Sequence, residues 1–327
     1  MDSVSPANGK AATQATPPEA SSHCDAEADA AADGTEAPVV VLMHEELTAL
    51  EDTDASLELI RSGVGSEDWA AQYEATTAIR RLVQFHPQLA RSSIYAQLEP
   101  VLGLLKTGVE SLRSAQNRNA LYAIGELFRN LPDKDIIAEA SSPIGIDGVV
   151  DAVVLKSVND KRFIASAGEA VIQQMVESAP CPALLLSLLR HASSKNPKVC
   201  TVIARHGCKC LRGIVDAAAT EEHKSALSCG DETEAQALIS GFAELELSRS
   251  VDAKKPAQAA LRLLFRTLKP EPFEAALKTA LNPTSVAHVL EIVRKPAVKK
   301  GPAKPSRSLR EIMAEKRREM ARSTSSS

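Results

Sequence analysis

The closest this sequence comes to a reactive cluster is Cys200, His206, Cys208 and Cys210. On a helix, Cys200, Ile203, His206 and Cys210 fall near one face, which is the start of a metal shell. A zinc site needs a further ligand and usually paired Cys spacing, and neither is present. The six cysteines (Cys24, Cys181, Cys200, Cys208, Cys210 and Cys229) contain no CxxC pair. Free cysteine packs as a small hydrophobe, so the favoured reading is core. No GxxxxGK[ST] or GxGxxG phosphate loop occurs, and no GxSxG, HExxH or DxDxDG. The expectation is a non-enzyme with no cofactor and no metal.

The other candidates are charged residues and one aromatic. Trp69 is the only tryptophan among 327 residues. It opens the stretch Ser66–Leu89, where Glu67 and Asp68 favour a helix start and Ala75, Ile79 and Leu82 make the apolar stripe. His86-Pro87 closes that helix. Trp69 stands off the stripe, at the mouth of the helix.

The elements that must position these residues are helical throughout. Leu98, Val101, Leu102, Leu105, Val109 and Leu112 hold helical spacing, and Ser111–Asn117 interrupts it. Leu121, Ile124, Phe128 and Leu131 restart it, and Pro132–Pro143 is a longer connection. Ile146, Val149, Val150, Val153 and Val154 make the next stripe; Asn159-Asp160 ends it before Ile164, Ala167, Val171 and Met175. Pro180-Cys181-Pro182 opens a Leu-rich helix to about Ser193, partnered by Val199, Val202, Ile203, Cys210 and Ile214. After a polar connection at Ala217–Glu232 come Ala235, Leu238, Ile239, Phe242 and Leu245. Asp252–Pro256 then interrupts before Ala257, Leu261, Leu264 and Leu268. Phe273, Leu277 and Ala280, then Val286, Val289, Leu290 and Val293, supply a last pair. About twelve helices in pairs of roughly 40 residues, with no period-2 strand, match a HEAT/armadillo-like α-solenoid. The expected class is all-α, about six helix pairs over residues 41–294; a globular bundle of twelve helices is the alternative.

The ends differ from this body. Residues 1–40 are acidic and poor in large apolar side chains, so they are expected to be disordered. Lys295–Arg307 reads as a Pro/Lys linker, and Ser308-Leu309-Arg310-Glu311 as a capping box opening a short basic helix, giving a basic segment 295–327. The net charge of −4 averages over this asymmetry. With no signal-peptide pattern at the N-terminus and no apolar run near the ~20 residues of a membrane span, a soluble cytoplasmic protein with reduced thiols is expected.

In a stack of helix pairs, the turns within pairs line one edge and those between pairs the other. The within-pair turns hold Trp69; Arg113 and Arg118; Lys161 and Arg162; Lys195 and Lys198; and Arg249, Lys254 and Lys255. The between-pair turns hold Asp133, Lys134 and Asp135, or Glu221, Glu222, His223 and Asp231. Taken singly, such turn residues are usually just solvated. A basic edge ending in the lone Trp is a docking surface for an acidic partner.

Three segments carry a family resemblance: DWAAQYEATTAIRRL (68–82), VESLRSAQNRNALYAIGELFRNL (109–131) and NDKRFIASAGEAVIQQMV (159–176). Each resembles the turn-and-helix signature of TOG domains. The second is most similar to the crescerin family of axonemal microtubule regulators and to CLASP. The resemblance spans roughly residues 45–295. It implies a six-repeat paddle binding αβ-tubulin, with Trp69 against β-tubulin and Arg113 and Arg118 beside it. Lys161, Arg162, Lys195, Lys198, Lys254 and Lys255 would then extend the surface towards α-tubulin. It also implies a cytoskeletal, and by crescerin an axonemal, location. Family members usually carry several such domains where this sequence has one, so the basic 295–327 segment is expected to hold the acidic microtubule lattice instead. Two rivals remain: a HEAT/armadillo scaffold binding another acidic protein by its concave helix face, and nucleic-acid binding by the basic segment.

Overall fold

The computed structural model describes residues 39–131, 146–220, 232–268 and 270–295, together with Met313. The acidic N-terminal residues, both long between-pair connections and nearly all of the basic C-terminal segment lie outside the described residues.

Local chemistry sets the first helices. Asp52 caps α1 (Thr53–Gly63), its carboxylate accepting from the amides of Asp54 and Ala55. Asp68 caps α2 (Trp69–Phe85) by accepting from the Ala70 amide at 3.1 Å. Ala75, Ile79 and Leu82 are fully buried along α2. The helix stops before Pro87, which cannot supply an amide to continue it and instead opens a short α3 (Pro87–Tyr95). That helix is one more than the apolar spacing predicts. From the spacing of Leu47, Leu50, Leu57 and Ile60 a first helix is expected up to Ser62-Gly63 with its start open; it begins at Thr53, and residues 39–47 hold only a 3-10 turn at His44–Glu46.

Five more pairs follow: α4 (Leu98–Glu110) with α5 (Ser114–Asn130), and α6 (Ile146–Lys156) with α7 (Arg162–Ser178). Then come α8 (Pro182–Leu189) with α9 (Pro197–Thr220), α10 (Glu232–Leu247) with α11 (Val251–Thr267), and α12 (Pro270–Ala280) with α13 (Pro283–Arg294). The second helices stack in the order α2, α5, α7, α9, α11, α13. The first helices stack beside them as α4, α6, α8, α10, α12. Each pair thus buries its apolar faces against its own partner and its neighbours, and a continuous core runs from Ile60 to Val293. Among the described residues this is an all-α solenoid with six helix pairs. Close approach between elements uses small residues. A Cβ on Gly168 of α7 would lie 2.7 Å from the Ser157 amide nitrogen, so only glycine lets this helix meet the preceding turn.

Three boundaries differ from the spacing argument. The helix α9 runs on to Thr220 and α10 opens at Glu232, so the ends of the expected 217–232 connection are helical. The helix α11 begins at Val251 and runs through Pro256, rather than starting after it. Pro256 lies early enough that its missing N–H leaves free only a first-turn carbonyl, so the proline is tolerated. The helix α5 begins at Ser114, so Asn117 is helical and fully buried, not part of the break.

One feature outside the repeat is a strap, residues 39–50, laid along the second-helix layer. The Tyr73 hydroxyl donates to the Val40 carbonyl (3.2 Å), Arg80 Nη1 to the Leu42 carbonyl (2.8 Å), and Gln84 Nε2 to the His44 carbonyl (3.2 Å). The strap therefore runs parallel to α2, with its own Val41 and Leu47 buried. Beneath it, Arg80 is 1% exposed. Its Nε and Nη2 donate to both carboxylate oxygens of Glu126 on α5 (2.9 and 2.8 Å), and Nη1 also reaches Asn119 Oδ1 (3.0 Å). This bidentate pair clamps the first two repeats together and holds the strap.

Candidate docking ridge along the within-pair turns

The within-pair turns share a construction. A Ser or Asn side-chain oxygen accepts the amide two residues on: Ser66 from Asp68 (3.1 Å), Ser111 from Arg113 (3.2 Å), Asn159 from Lys161 (2.9 Å) and Asn196 from Lys198 (3.0 Å). These local bonds are the reason helices break here. In three of the four the residue so fixed is a cation.

Contacts between consecutive turns follow the stack. The Arg113 guanidinium lies 4.3 Å from the Trp69 ring centroid, a cation–π contact joining turns one and two. Gln116 Nε2 donates to Gln72 Oε1 (2.6 Å) just behind it. Lys161 Nζ donates to Ser114 Oγ (2.9 Å), joining turns two and three. Thr201 and Ser250 share a 2.7 Å hydroxyl contact between repeats four and five.

Arg113, Lys161, Arg162, Lys195, Lys198 and Lys255 are exposed, and Lys254 is half-buried. Two site residues sit differently from the simple picture. Trp69 is half-buried with Arg113 stacked on it, so it is a braced aromatic rather than a free one. Arg118 is also half-buried; its guanidinium lies 5.7 Å from the ring centroids of both Tyr122 and Phe163, and Nη2 donates to the Tyr122 hydroxyl (3.2 Å). It stands one turn in from the edge. Lys254 and Lys255 belong to the opening turns of α11, not to the connection before it. Exposed Glu67 and Asp68 make the first turn acidic, so the excess of cations begins at Arg113. The between-pair residues Asp133, Lys134, Asp135, Glu221, Glu222, His223 and Asp231 lie outside the described residues.

The spacing argument missed the apolar members of this edge. Leu112, which continues the apolar stripe of α4, is past the helix end and 97% exposed. Val251 is 79% exposed at the fifth turn and Phe163 36% at the third. Leu112 adjoins Arg113, Phe163 adjoins Arg162, and Val251 precedes Lys254 by one helical turn. The available signal was an apolar residue directly beside a Ser–x–Arg or Lys–Arg turn element. Solitary exposed apolar residues are ordinary; these three stand singly at turns two, three and five, the last beside exposed Asp252.

The cysteine cluster is core. Cys200, Cys208 and Cys210 are buried. Burial raises all three thiols, Cys210 to about 12. They are therefore protonated at neutral pH and poor nucleophiles. His206 is 1% exposed, and burial lowers its pKa, opposed by Glu169 with Nε2 at 3.5 Å from the carboxylate. A histidine whose folded pKa lies below its unfolded value binds a proton more readily when unfolded. Its contribution is therefore full above about pH 6.5 and lost as pH falls from there towards the folded pKa. Urea melts should show stability dropping by up to ~1.4 kcal/mol per pH unit in that window. The slope should flatten in His206→Leu; an unchanged slope would assign it to other groups.

No protein-family model matches the chain, and no curated protein matches it. Among solved structures, the chain is similar to one described as "TOG-tubulin binding specificity promotes microtubule dynamics and mitotic spindle formation". That likeness has 14% identity over 78% of this chain and 92% of the other, with a TM-score of 0.43. A second, "Crescerin uses a TOG domain array to regulate microtubules in the primary cilium", has 15% identity over 74% and 92%, with a TM-score of 0.44. A designed armadillo repeat protein, YIII(Dq)4CqI, has 16% identity over 72% and 99%, with a TM-score of 0.32.

Proposed function

We propose that this chain is a non-enzymatic microtubule-associated protein whose TOG-like solenoid engages αβ-tubulin through the within-pair turns. Trp69, Arg113 and Leu112 form one end of the contact, and Lys161, Arg162, Lys195, Lys198, Lys254 and Lys255 extend it. The observation that carries the reading is a row of exposed cations on one edge, Arg113, Lys161 and Lys198 among them fixed by Ser or Asn turns, with exposed Leu112, Phe163 and Val251 at turns two, three and five. A rigid edge of this kind loses little entropy on docking to an acidic surface. The resemblance of segments 68–82, 109–131 and 159–176 to TOG turns supplies the identity of that surface. The basic 295–327 segment adds salt-sensitive attachment to the lattice.

The test is co-elution with tubulin on gel filtration. Trp69→Ala combined with Arg113→Ala should weaken binding by about 30-fold or more, the size expected for an aromatic–Arg hot spot of ~2 kcal/mol, with helicity unchanged. Undiminished co-elution would sink the proposal. The rival scaffold reading draws on an open groove on the second-helix layer, lined by Met43, His44, Tyr122, Gly125, Val171 and Gln174. A partner seated there would be retained by the Trp69/Arg113 double variant.

A further inference from the structure

The direction of the strap fixes where the preceding residues enter. Val40 is held by Tyr73, which follows Trp69 by one helical turn, a rise of about 6 Å. Side chains on a helix lean towards its N-terminus, which brings the Tyr73 hydroxyl closer still to the ridge. Residue 39 therefore lies at the ridge end of α2, and the chain before it starts there. That chain is acidic: Asp25, Glu27, Asp29, Asp33 and Glu36 are five carboxylates within twelve residues, with no cation among them.

We propose that this acidic segment, residues 25–36, docks on the cations of the within-pair ridge and competes with the acidic partner for it. The proposal rests on the reading of the ridge as an acid-binding surface. Charge complementarity and reach both support it. Glu36 is three residues from Val39, a span of up to ~10 Å, and Asp25 is fourteen, up to ~50 Å. Stacked helices are ~10 Å apart, so turns two to five lie within that reach. The acidic first turn, with Glu67 and Asp68, repels the segment and favours the cations beyond it. The chain's other basic region starts at Lys295, beyond the last pair, five helix spacings or about 50 Å along the stack. The strap thus starts the acidic segment beside the ridge, whereas the basic segment would have to reach back along the stack to meet it, and the coupling products separate the two.

Tethering gives an effective concentration in the millimolar range, while exposed ion pairs are individually weak. The expected consequence is a modest occlusion of a few-fold, abolished by salt, rather than an all-or-none lock.

Zero-length carbodiimide coupling of the full chain, alone and dilute, reads the docking without any partner. The expected products join Asp25–Glu36 carboxylates to Lys161, Lys195, Lys198, Lys254 or Lys255, and disappear at about 0.5 M salt, where the screening length is only a few ångströms. Coupling mainly to Lys209, Lys278 or the lysines after 295, or equal yields at low and high salt, would overturn the proposal. A second arm compares tubulin affinity of the full chain with that of the variant carrying Asp25→Asn, Glu27→Gln, Asp29→Asn, Asp33→Asn and Glu36→Gln. Tighter binding by ~3–10-fold at low salt is expected, the difference vanishing at high salt; equal affinity would refute competition. Ridge cross-links without tubulin binding by either protein would leave the docking standing and remove the tubulin reading. Tubulin binding without ridge cross-links would do the reverse.

Discussion

Glu126→Leu, with Arg80 left in place, is expected to lower stability by about 3–5 kcal/mol in urea denaturation. The change leaves a guanidinium that is 1% exposed without its carboxylate partner. Arg80→Met should cost a similar amount, because it strands Glu126 and leaves the Leu42 carbonyl and Asn119 Oδ1 without their donor. The double variant is the informative one. With both charges gone, the desolvation penalty goes as well, so the double substitution should be much less destabilising than the sum of the singles. Single-variant losses below about 1 kcal/mol, or simple additivity, would show that the pair is not the clamp described.

The second large effect concerns binding alone. Leu112→Asp is expected to leave stability within about 0.5 kcal/mol of the parent, because a side chain that is 97% exposed contributes almost nothing to the core. Its effect on tubulin co-elution should be large, about 30-fold or more, since it puts a carboxylate against an acidic partner where an apolar contact stood. Leu112→Ala should lie between the two. Wild-type affinity in Leu112→Asp would place the contact elsewhere, whatever the Trp69 variants do.

Helix pairing was legible in the sequence because the 3.6-residue apolar period is strong in a chain with so few aromatics. The stripes at Leu98–Val109 and Ile164–Met175 reappear as buried faces of α4 and α7. Local competition defeated the boundaries. The stripe of α4 runs on to Leu112, but the Ser111 hydroxyl takes the Arg113 amide and ends the helix first. Pro256 reads as a breaker, yet it lies where only one early helical bond is lost. The clamp was not legible at all. Arg80 and Arg81 are neighbours of the same type, and nothing local says that one is sealed under the strap while the other is half-buried. Of the ridge, the cations could be read from turn positions, whereas the packing of Arg113 on Trp69 required the stacking of two repeats.

The strap and its clamp have a further consequence for how the solenoid comes apart. Stacked repeats contact only their neighbours, so the terminal ones fray first, and a symmetric array would lose amide protection equally from both ends. Here the N-terminal repeat is tied by long-range bonds from Leu42 and Glu126 to Arg80. The last repeat is held by its buried Phe273, Leu277 and Val289 and by pairs whose basic members are about half exposed, His288 on Glu246 and Arg294 on Glu274. Opening should therefore start at α12 and α13 and travel towards the strap. The Trp69 end of the ridge would then keep its shape after the far end has begun to melt.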